Sequence, residues 1–318
     1  MSEFPRSVVV SVPTDELAAD IGAVPDGVEL VVWDLRSPAP RDAFDMVVPP
    51  YMSGKRLLSA LGGVKVGLLQ SQSIGYEGMG AYLPEGTRLA NASSVHETAT
   101  AEIAVGLAIA AQRDLADYVR NQESSRWAPQ FGRSVADRTV LVLGYGGVGK
   151  AVASRLLPFE TTIVPVASRA RDEDGVHIHG IDELDELLPS TDILMITLPG
   201  GEPTKGLIGA RELALLPDGA LVVNVGRGTV LDTDALVAEL QSERLRAALD
   251  VVDPEPLPED HPLWRAPGAL VVPHVGGAAD AMRPRIAKLV RAQIERLAAG
   301  DEDLKAFRPA PKQHAALI

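Results

Sequence analysis

The stretch "VLVLGYGGVGK", residues 140–150, predicts the fold of a large part of the chain. Its apolar run ends in three glycines, Gly144, Gly146 and Gly149, spaced G-x-G-x-x-G, and the helical pattern "KAVASRLL" follows. In such a turn the first glycine allows a sharp bend, the second lets the backbone approach a pyrophosphate, and the third lets the helix pack close to the strand. Because a strand precedes the glycines and a helix follows them, we predict a dinucleotide-binding turn. An ordinary tight turn between a strand and a helix is the alternative.

Short β-branched runs alternate with helical patterns on both sides of this turn, which is typical of parallel sheets with crossover helices. A long helix is predicted over residues 97–119, and a last helix has apolar residues from Ile286 to Leu297 on one face. At 318 residues the chain exceeds what one hydrophobic core usually covers, so we expect two domains. The predicted strands are at residues 7–12, 28–34, 45–48, 64–70, 87–92, 139–143, 162–167, 176–180, 192–198, 220–225, 246–249 and 269–273.

Composition excludes several classes of function. The chain has 30 basic side chains (Lys and Arg) against 43 acidic ones and a formal net charge of −13, which disfavours nucleic acid and anionic membranes as partners. It has no cysteine, so disulfides, thiolate nucleophiles and thiolate metal sites are excluded. The longest apolar run, from Ile103, is about half as long as a membrane-spanning helix, and "MSEFPRSVVV" lacks the segments of a signal peptide. We therefore expect a cytoplasmic protein.

The end of the strand after the glycine turn indicates which dinucleotide binds. A site that prefers NAD usually has an acidic residue there, about 20 residues on, which accepts hydrogen bonds from the ribose hydroxyls. Here that position holds Ser168, with Arg169 and Arg171 beside it. An acidic side chain would repel a 2′-phosphate, whereas a serine next to two arginines can bind one. We predict that NADP is preferred over NAD. The alternative is a solvated charge run before "DEDG".

Three later segments each carry a chemically active residue after a predicted strand: Arg227 in "VVNVGRG", Glu255 in "ALDVVDPEP" and His274 in "VVPHVGG". Ligands in open α/β sheets bind outside the carboxyl ends of the strands, so we expect these three residues to converge there. A lone histidine at such a position is more often structural, and a lone arginine is usually a surface residue. The combination of a fixed cation, a carboxylate and an imidazole favours a functional site.

With these motifs the chain resembles the D-isomer-specific 2-hydroxyacid dehydrogenases, a family that includes glyoxylate/hydroxypyruvate reductases. The resemblance covers nearly the whole chain and depends on "LGYGGVGKAVASRL", the segment 191–236, "ALDVVDPEPLPEDHPLW" and "VVPHVGG". It implies an α/β fold with two doubly wound parallel-sheet domains. A Rossmann NAD(P)-binding domain, residues 100–282, would be inserted in a flavodoxin-like substrate domain, residues 1–99 and 283–318, with the active site in the cleft between them.

The resemblance also implies that Arg227, Glu255 and His274 are catalytic, and elementary chemistry agrees. Reduction of a 2-oxo acid needs a hydride on C2 and a proton on the resulting alkoxide, and the side chain of His274 titrates near neutral pH. A neighbouring carboxylate, Glu255, should raise the pKa of His274 and orient its ring. Arg227 can bind the substrate carboxylate and polarise the carbonyl. The nicotinamide cofactor carries the hydride.

Further residues are assigned by the same resemblance. In "QSQSIGYEG" the backbone N–H groups of Ser73, Ile74 and Gly75 would hold the substrate carboxylate, with a plain turn as the alternative. Tyr51 would line the pocket, or else serve as an interface or core residue. Asp250 would accept a hydrogen bond from the nicotinamide carboxamide. The remaining cofactor contacts are Thr100, Gly147, Val148 and Gly276, together with Leu198, Pro199, Thr204, Val225 and Gly226, for which packing or turn formation is the alternative.

These features predict an oxidoreductase that uses NADPH to reduce a small 2-oxo acid, such as glyoxylate or hydroxypyruvate, to the D-2-hydroxy acid. We expect a homodimer formed through the helix 97–119 and the arm after it. One alternative is a nucleotide-sensing protein, similar to the corepressors of this fold, that binds the dinucleotide without catalysis. Another is an NAD-linked dehydrogenase of a phosphorylated hydroxy acid or of phosphite. No metal site is predicted, because the other histidines lack a metal-ligand spacing; they are His96, His177, His179, His261 and His314.

Overall fold

The computed structural model describes residues 7–301 and Leu304. The chain forms two compact units, one made of Met1–His96 and Asp280–Ile318 and the other of Glu97–Ala279. His314 and most of the tail after Gly300 lie outside the described residues. The residue boundaries and the roles predicted for a substrate domain and a cofactor domain stay predictions.

Thirteen strands and eight α-helices occur in the described residues. The strands are β1 Val8–Val12, β2 Val28–Val32, β3 Ala43–Val47, β4 Lys65–Gln70, β5 Arg88–Ala90, β6 Thr139–Leu143, β7 Thr162–Ala167, β8 Arg171–Glu173, β9 Val176–Gly180, β10 Ile193–Ile196, β11 Leu221–Asn224, β12 Arg246–Leu249 and β13 Ala269–Val271. The helices are α1 Asp15–Ile21, α2 Glu97–Gln112, α3 Leu115–Glu123, α4 Gly147–Leu156, α5 Leu184–Leu187, α6 Ala210–Leu215, α7 Thr233–Gln241 and α8 Met282–Ala298.

The first unit is built on a parallel sheet of five strands in the order β2-β1-β3-β4-β5. This is the flavodoxin-like order of doubly wound sheets. Apolar side chains are buried on both faces of the sheet: Met46 packs in the cluster that contains Ile286 and Val290 of α8, and its neighbour Val47 packs in a separate cluster with Trp33. The terminal helix α8 therefore completes the core of the first unit, far along the chain from its strands.

The second unit contains an eight-stranded sheet in the order β13-β12-β11-β10-β6-β7-β9-β8. All of its paired strands are parallel except β8 and β9, which form an antiparallel hairpin. Counted from β6, the order β9-β7-β6-β10-β11-β12 is the 3-2-1-4-5-6 arrangement of dinucleotide-binding sheets. Every residue of β10 and β11 is buried, as expected for central strands covered on both faces.

The register of this sheet brings the carboxyl ends of its strands into one row. Leu143 pairs with Ile196, Ile196 with Asn224, Asn224 with Leu249, and Leu249 with Val271. The segments that begin after these residues, including the glycine turn, therefore leave the sheet along the same edge. This edge is where ligands bind in open α/β sheets.

The structure differs from the predicted elements in two places. The single helix predicted over 97–119 is two helices, because Asp114 between α2 and α3 has a φ of +51°, a left-handed conformation that Asp tolerates better than most residues. The charged segment Arg171–Glu173, for which no strand was predicted, forms the short strand β8.

No helix among the described residues combines the length and the apolar character that a membrane span requires.

Candidate active site

The glycine turn joins β6 to α4 and has the backbone geometry that its pattern predicts. Gly144 has a φ of +109°, which side-chain-bearing residues rarely adopt, and a Cβ added to Gly149 would lie 2.3 Å from the carbonyl oxygen of Gly144. A Cβ added to Gly146 would meet nothing within 4 Å. The turn thus has open space beside its second glycine, at the N-terminus of α4, where helix N–H groups favour an anion. These features fit a dinucleotide pyrophosphate.

The segment after β7 carries the side chains predicted to recognise the ribose. Ser168 and Arg169 are exposed. Arg171 begins β8, and its Nε and Nη2 atoms donate to one carboxylate oxygen of Glu173 at 3.2 and 3.1 Å. Lys150 of α4 donates to the other oxygen of Glu173. Arg171 is therefore already paired with the carboxylate of Glu173. Arg169 is not part of this ion pair.

Arg227 follows β11 in a turn that is held by Asn224, the last residue of that strand. The Asn224 side chain accepts a hydrogen bond from the N–H of Gly226 at 3.0 Å and donates one to the carbonyl oxygen of Arg227 at 3.0 Å. Glycine is required on both sides of Arg227. A Cβ added to Gly226 would lie 2.5 Å from the carbonyl oxygen of Leu198, and one added to Gly228 would lie 1.9 Å from that of Val252. The turn thus fixes the position from which the guanidinium extends.

His274 and Glu255 form a hydrogen-bonded pair beyond the ends of β12 and β13. Nδ1 of His274 lies 2.9 Å from Oε2 of Glu255, and Oε1 of Glu255 accepts from the N–H of Val252 at 3.1 Å. The hydrogen bond to Glu255 raises the pKa of His274, although partial burial opposes this. Burial alone would raise the pKa of Glu255, but the hydrogen bonds from His274 and Val252 outweigh it and lower the pKa. The charged pair is therefore favoured, and Arg227 is near enough for its charge to act on both groups.

Asp250 holds the turn that carries His274. Its carboxylate oxygens accept from the N–H groups of Val275 at 2.7 Å and Gly276 at 3.0 Å, and its carbonyl accepts from the N–H of His274 at 2.8 Å. His274 has a φ of +53°, in the left-handed region, so this turn needs such support. Burial raises the pKa of Asp250, and the two backbone hydrogen bonds oppose that shift. The hydrogen bond predicted between Asp250 and the nicotinamide carboxamide stays a prediction. The contacts described above give Asp250 a separate role, which is to position the turn that carries His274.

The other predicted cofactor residues of the second unit lie near the same sheet edge. Thr100 of α2 is buried, and its Cγ2 would be 3.4 Å from a Cβ added to Gly276. Leu198 follows β10 next to the glycine turn, because a Cβ added to Gly144 would lie 3.0 Å from its backbone nitrogen. Thr204 donates its hydroxyl to the carbonyl of Pro199 at 2.8 Å, which closes the loop after β10. Val225 is buried in the core beneath.

The residues predicted to bind substrate in the first unit follow β4 and β3. In the loop of residues 73–75, the N–H of Ser73 donates to Oγ of Ser71 at 3.0 Å. The carbonyl oxygen of Ile74 accepts from the side chain of Asn91 at 2.9 Å. Tyr51 stacks on the buried His96, with ring centroids 5.4 Å apart. The loop is thus fixed by side chains on both sides.

Sequence reasoning missed Asn224, which holds the Arg227 turn. The available signal was a polar residue at the end of an otherwise apolar strand, "ALVVNV". Such a residue has no place in a hydrophobic core unless its polar atoms are hydrogen-bonded, and Asn224 is fully buried.

Comparison with known proteins identifies the family of the chain. Residues 105–276 match the model of the D-isomer specific 2-hydroxyacid dehydrogenase family, NAD binding domain. The chain is 34% identical over 222 residues to glyoxylate/hydroxypyruvate reductase B of Pectobacterium atrosepticum, covering 66% of this chain and 69% of the relative. It is 31% identical over 224 residues to an uncharacterized protein in the proB 3′ region of Corynebacterium melassecola, covering 69% of this chain and 73% of the relative.

A crystal structure of a D-isomer specific 2-hydroxyacid dehydrogenase from Xanthobacter autotrophicus Py2, in complex with NADPH and MES, superposes with a TM-score of 0.77 at 26% identity. The match covers 95% of this chain and 98% of that one. The fold and site thus define an α/β oxidoreductase with a dinucleotide-binding sheet. The chain belongs to the D-isomer specific 2-hydroxyacid dehydrogenase family. It is an NAD(P)-dependent 2-hydroxyacid dehydrogenase, which confirms the predicted family, fold class and type of enzyme.

Proposed function

We propose that this enzyme uses NADPH to reduce a small 2-oxo acid of the glyoxylate or hydroxypyruvate type to the D-2-hydroxy acid. The observation that carries the proposal is the pair of His274 and Glu255, whose Nδ1 and Oε2 atoms are 2.9 Å apart at the sheet edge that also bears Arg227 and the glycine turn. A relative at 34% identity is named glyoxylate/hydroxypyruvate reductase B, which supports this substrate class.

In this proposal His274 is the acid that protonates the new alkoxide. Protonated His274 donates its Nδ1–H to Glu255, and the Nε2–H remains for the substrate oxygen. Positioned acid catalysis of this kind typically contributes about 10² to 10⁴-fold in rate. A bound nicotinamide dinucleotide supplies the hydride. When the reaction runs in reverse, neutral His274 takes the proton from the hydroxy acid.

Arg227 binds the substrate carboxylate and polarises the carbonyl in the same proposal. Its Nη1 atom donates to the carbonyl oxygen of Gly226 at 2.7 Å, which fixes one arm of the fork. A guanidinium has five N–H donors in a planar fork, a geometry that matches the two oxygens of a carboxylate. The backbone N–H groups of Ile74 and Gly75 are proposed to hold the carboxylate as well, whereas the predicted N–H of Ser73 already donates to Oγ of Ser71 at 3.0 Å.

NADP is the proposed cofactor of choice, with NAD as the weaker one. No acidic side chain stands at Ser168, and Arg169 beside it is exposed and can meet a 2′-phosphate. Arg171 contributes less because Glu173 binds it. The related structure with NADPH supports this choice. Replacing Ser168 by Asp should move the ratio of kcat/KM toward NADH, and an unchanged ratio would contradict this role of Ser168.

A homodimer is proposed through α2, α3 and the arm that follows. Trp127 and Phe131 of that arm have relative exposures of 94% and 109%, and such apolar side chains favour burial against a partner. Sedimentation equilibrium of the wild-type protein and of a Trp127→Ala, Phe131→Ala variant would test this. A monomeric wild type would refute it.

Steady-state kinetics with both cofactors tests the proposed reaction. The substrate panel is glyoxylate, hydroxypyruvate, pyruvate, and branched and aromatic 2-oxo acids. Each reaction is monitored by the loss of NADPH absorbance. We expect turnover of at least one small 2-oxo acid. NADPH binding without turnover of any member would refute the proposal and favour a nucleotide sensor. Activity confined to NAD with a phosphorylated hydroxy acid or phosphite would favour that alternative instead.

Replacing His274 by Ala tests the assigned acid. We expect kcat/KM to fall by about 10² to 10⁴-fold while the affinity for NADPH stays nearly unchanged. His261→Ala, in a loop whose histidine caps a neighbouring turn, is the matched control and should retain activity. Loss of NADPH binding in His274→Ala would mean that the residue has another role.

A further inference from the structure

The hairpin of β8 and β9 brings two histidines and a carboxylate together on one side. His177 and His179 are two residues apart on β9, so their side chains leave the same face of the strand. Their rings lie at 88° with centroids 4.8 Å apart. Glu183 follows in the short helical turn after β9, and a ligand atom of each of the three residues lies within 4.8 Å of those of the other two.

Three hydrogen bonds orient this cluster. Nδ1 of His177 lies 2.8 Å from Oδ1 of Asp172, its cross-strand partner on β8. With the proton on Nδ1, this contact leaves the Nε2 lone pair of His177 available, which is the arrangement in which a carboxylate orients a metal-binding histidine. Glu183 is held through both oxygens: Oε1 accepts from the N–H of Gly180 at 2.8 Å and Oε2 lies 2.7 Å from Nδ1 of His179.

We propose that His177, His179 and Glu183 form a binding site for a divalent transition-metal ion such as Zn²⁺, with Asp172 as the residue that positions His177. Two imidazoles and one carboxylate are a donor set suited to Zn²⁺, Co²⁺ and Ni²⁺ rather than to Mg²⁺ or Ca²⁺. This site belongs to a hairpin outside the catalytic residues, so it does not depend on the proposed reductase activity.

The geometry permits metal binding after a small closure of the side chains. Ligands about 2.0 to 2.2 Å from a tetrahedral ion lie roughly 3.3 Å from one another, so the ligand atoms that are now up to 4.8 Å apart would approach, and the 2.7 Å hydrogen bond between His179 and Glu183 would open. The side chains of His177, His179 and Glu183 are 55%, 27% and 34% exposed, which leaves them room to rotate and leaves the ion a path from solvent.

Sequence reasoning predicted no metal site because H-x-H followed by Glu four residues later does not match the helical or loop spacings of known zinc motifs. The spacing acquires its meaning only once residues 176–180 are known to form a strand, because the two histidines then share a face. The partner strand β8, which supplies Asp172, was not predicted.

Calorimetric titration with Zn²⁺ alone tests the proposal, on full-length protein first stripped with a chelator. We expect the wild type to bind one equivalent, and the double variant His177→Ala, His179→Ala to lose that binding. Asp172→Asn should weaken it by about 10 to 100-fold, the usual effect of removing an orienting partner of a metal ligand. His261→Ala is the matched control and should bind Zn²⁺ as the wild type does.

Two further measurements locate the ion. Zn²⁺ should raise the thermal unfolding midpoint of the wild type but not of the double variant, and the midpoint without metal shows whether that variant is folded. The double variant should keep its 2-hydroxyacid dehydrogenase activity. Absence of stoichiometric Zn²⁺ binding to the wild type overturns the site. So does equal binding to the double variant, or loss of binding only in His274→Ala, because the ion would then lie elsewhere.

Discussion

Replacing Glu255 by glutamine tests whether its charge controls the protonation of His274. In the wild type, Nδ1 of His274 lies 2.9 Å from the carboxylate. The amide oxygen of the glutamine can still accept this hydrogen bond, but it carries no negative charge. Hydrogen bonds to charged groups are worth about 1.5 to 3 kcal/mol and neutral ones about 0.5 to 1.5. Because the two side chains are 45% and 36% exposed, solvent screening favours the small end of the difference, about 1 kcal/mol. That corresponds to roughly 5-fold in rate.

The direction of the pH effect follows from the raised pKa of His274. In the wild type, protonated His274 persists to higher pH, and in the proposed mechanism the reduction rate falls only as pH rises through that pKa. Without the charge of Glu255 the pKa of His274 falls. The descending limb of kcat/KM for 2-oxo acid reduction should therefore move to lower pH. Oxidation of the hydroxy acid needs neutral His274, so its ascending limb should move to lower pH as well.

The assay is the pH profile of kcat/KM in both directions for the wild type and Glu255→Gln. Glu259→Gln is the matched control, since Glu259 is an exposed acid in the same loop. We expect its profile to coincide with that of the wild type. Coincidence of the two glutamine variants would refute the reasoning, because Glu255 would then have no special influence on the proton held by His274.

Other substitutions test the rest of the site. Gly146→Ala should weaken NADPH binding in fluorescence titration without lowering the thermal unfolding midpoint, because its Cβ meets nothing within 4 Å. Gly149→Ala, whose Cβ would lie 2.3 Å from a backbone oxygen, should lower both the NADPH affinity and the midpoint, and equal midpoints for the two variants would contradict this. Asp250→Asn can accept only one of two backbone N–H bonds, so urea unfolding should show a loss of about 1 to 3 kcal/mol, and an unchanged stability would exclude the positioning role. Arg169→Ala should raise the KM for NADPH more than Arg171→Ala, which a glutamate already pairs; the reverse order would favour Arg171 as the phosphate ligand.

The sequence predicts most of the fold because buried parallel strands are nearly continuous apolar runs between turn residues. Runs such as "TVLVL" and "ALVVNV" correspond to β6 and β11 within two residues. The break between α2 and α3 was missed because the apolar pattern continues through it, and only the conformation of Asp114 ends the helix. The strand β8 was missed because its side chains, Arg-Asp-Glu, are charged and its order depends on pairing with β9.

The side chains at the candidate site were predictable as a set, because the carboxyl ends of parallel strands meet along one edge. The residues that hold the turns around these side chains could not be predicted from the sequence. That Asn224 holds the Arg227 turn and that both oxygens of Asp250 bind backbone N–H groups depends on loops from different strands. A sequence gives residue types at strand ends but not which backbone groups a neighbouring loop leaves to be satisfied.

Two carboxylates near His274 have opposite pKa shifts, and this difference separates their roles. Asp250 is buried, its pKa is raised mainly by that burial, and its carboxylate oxygens accept from the backbone N–H groups of the two residues after His274. Glu255 is partly exposed, and the hydrogen bond from the imidazole helps to lower its pKa below the usual range. Only Glu255 therefore contacts the titrating ring, while Asp250 maintains the left-handed backbone that aims it. These opposite shifts support the proposed division, in which Glu255 serves the proton transfer and Asp250 holds the geometry.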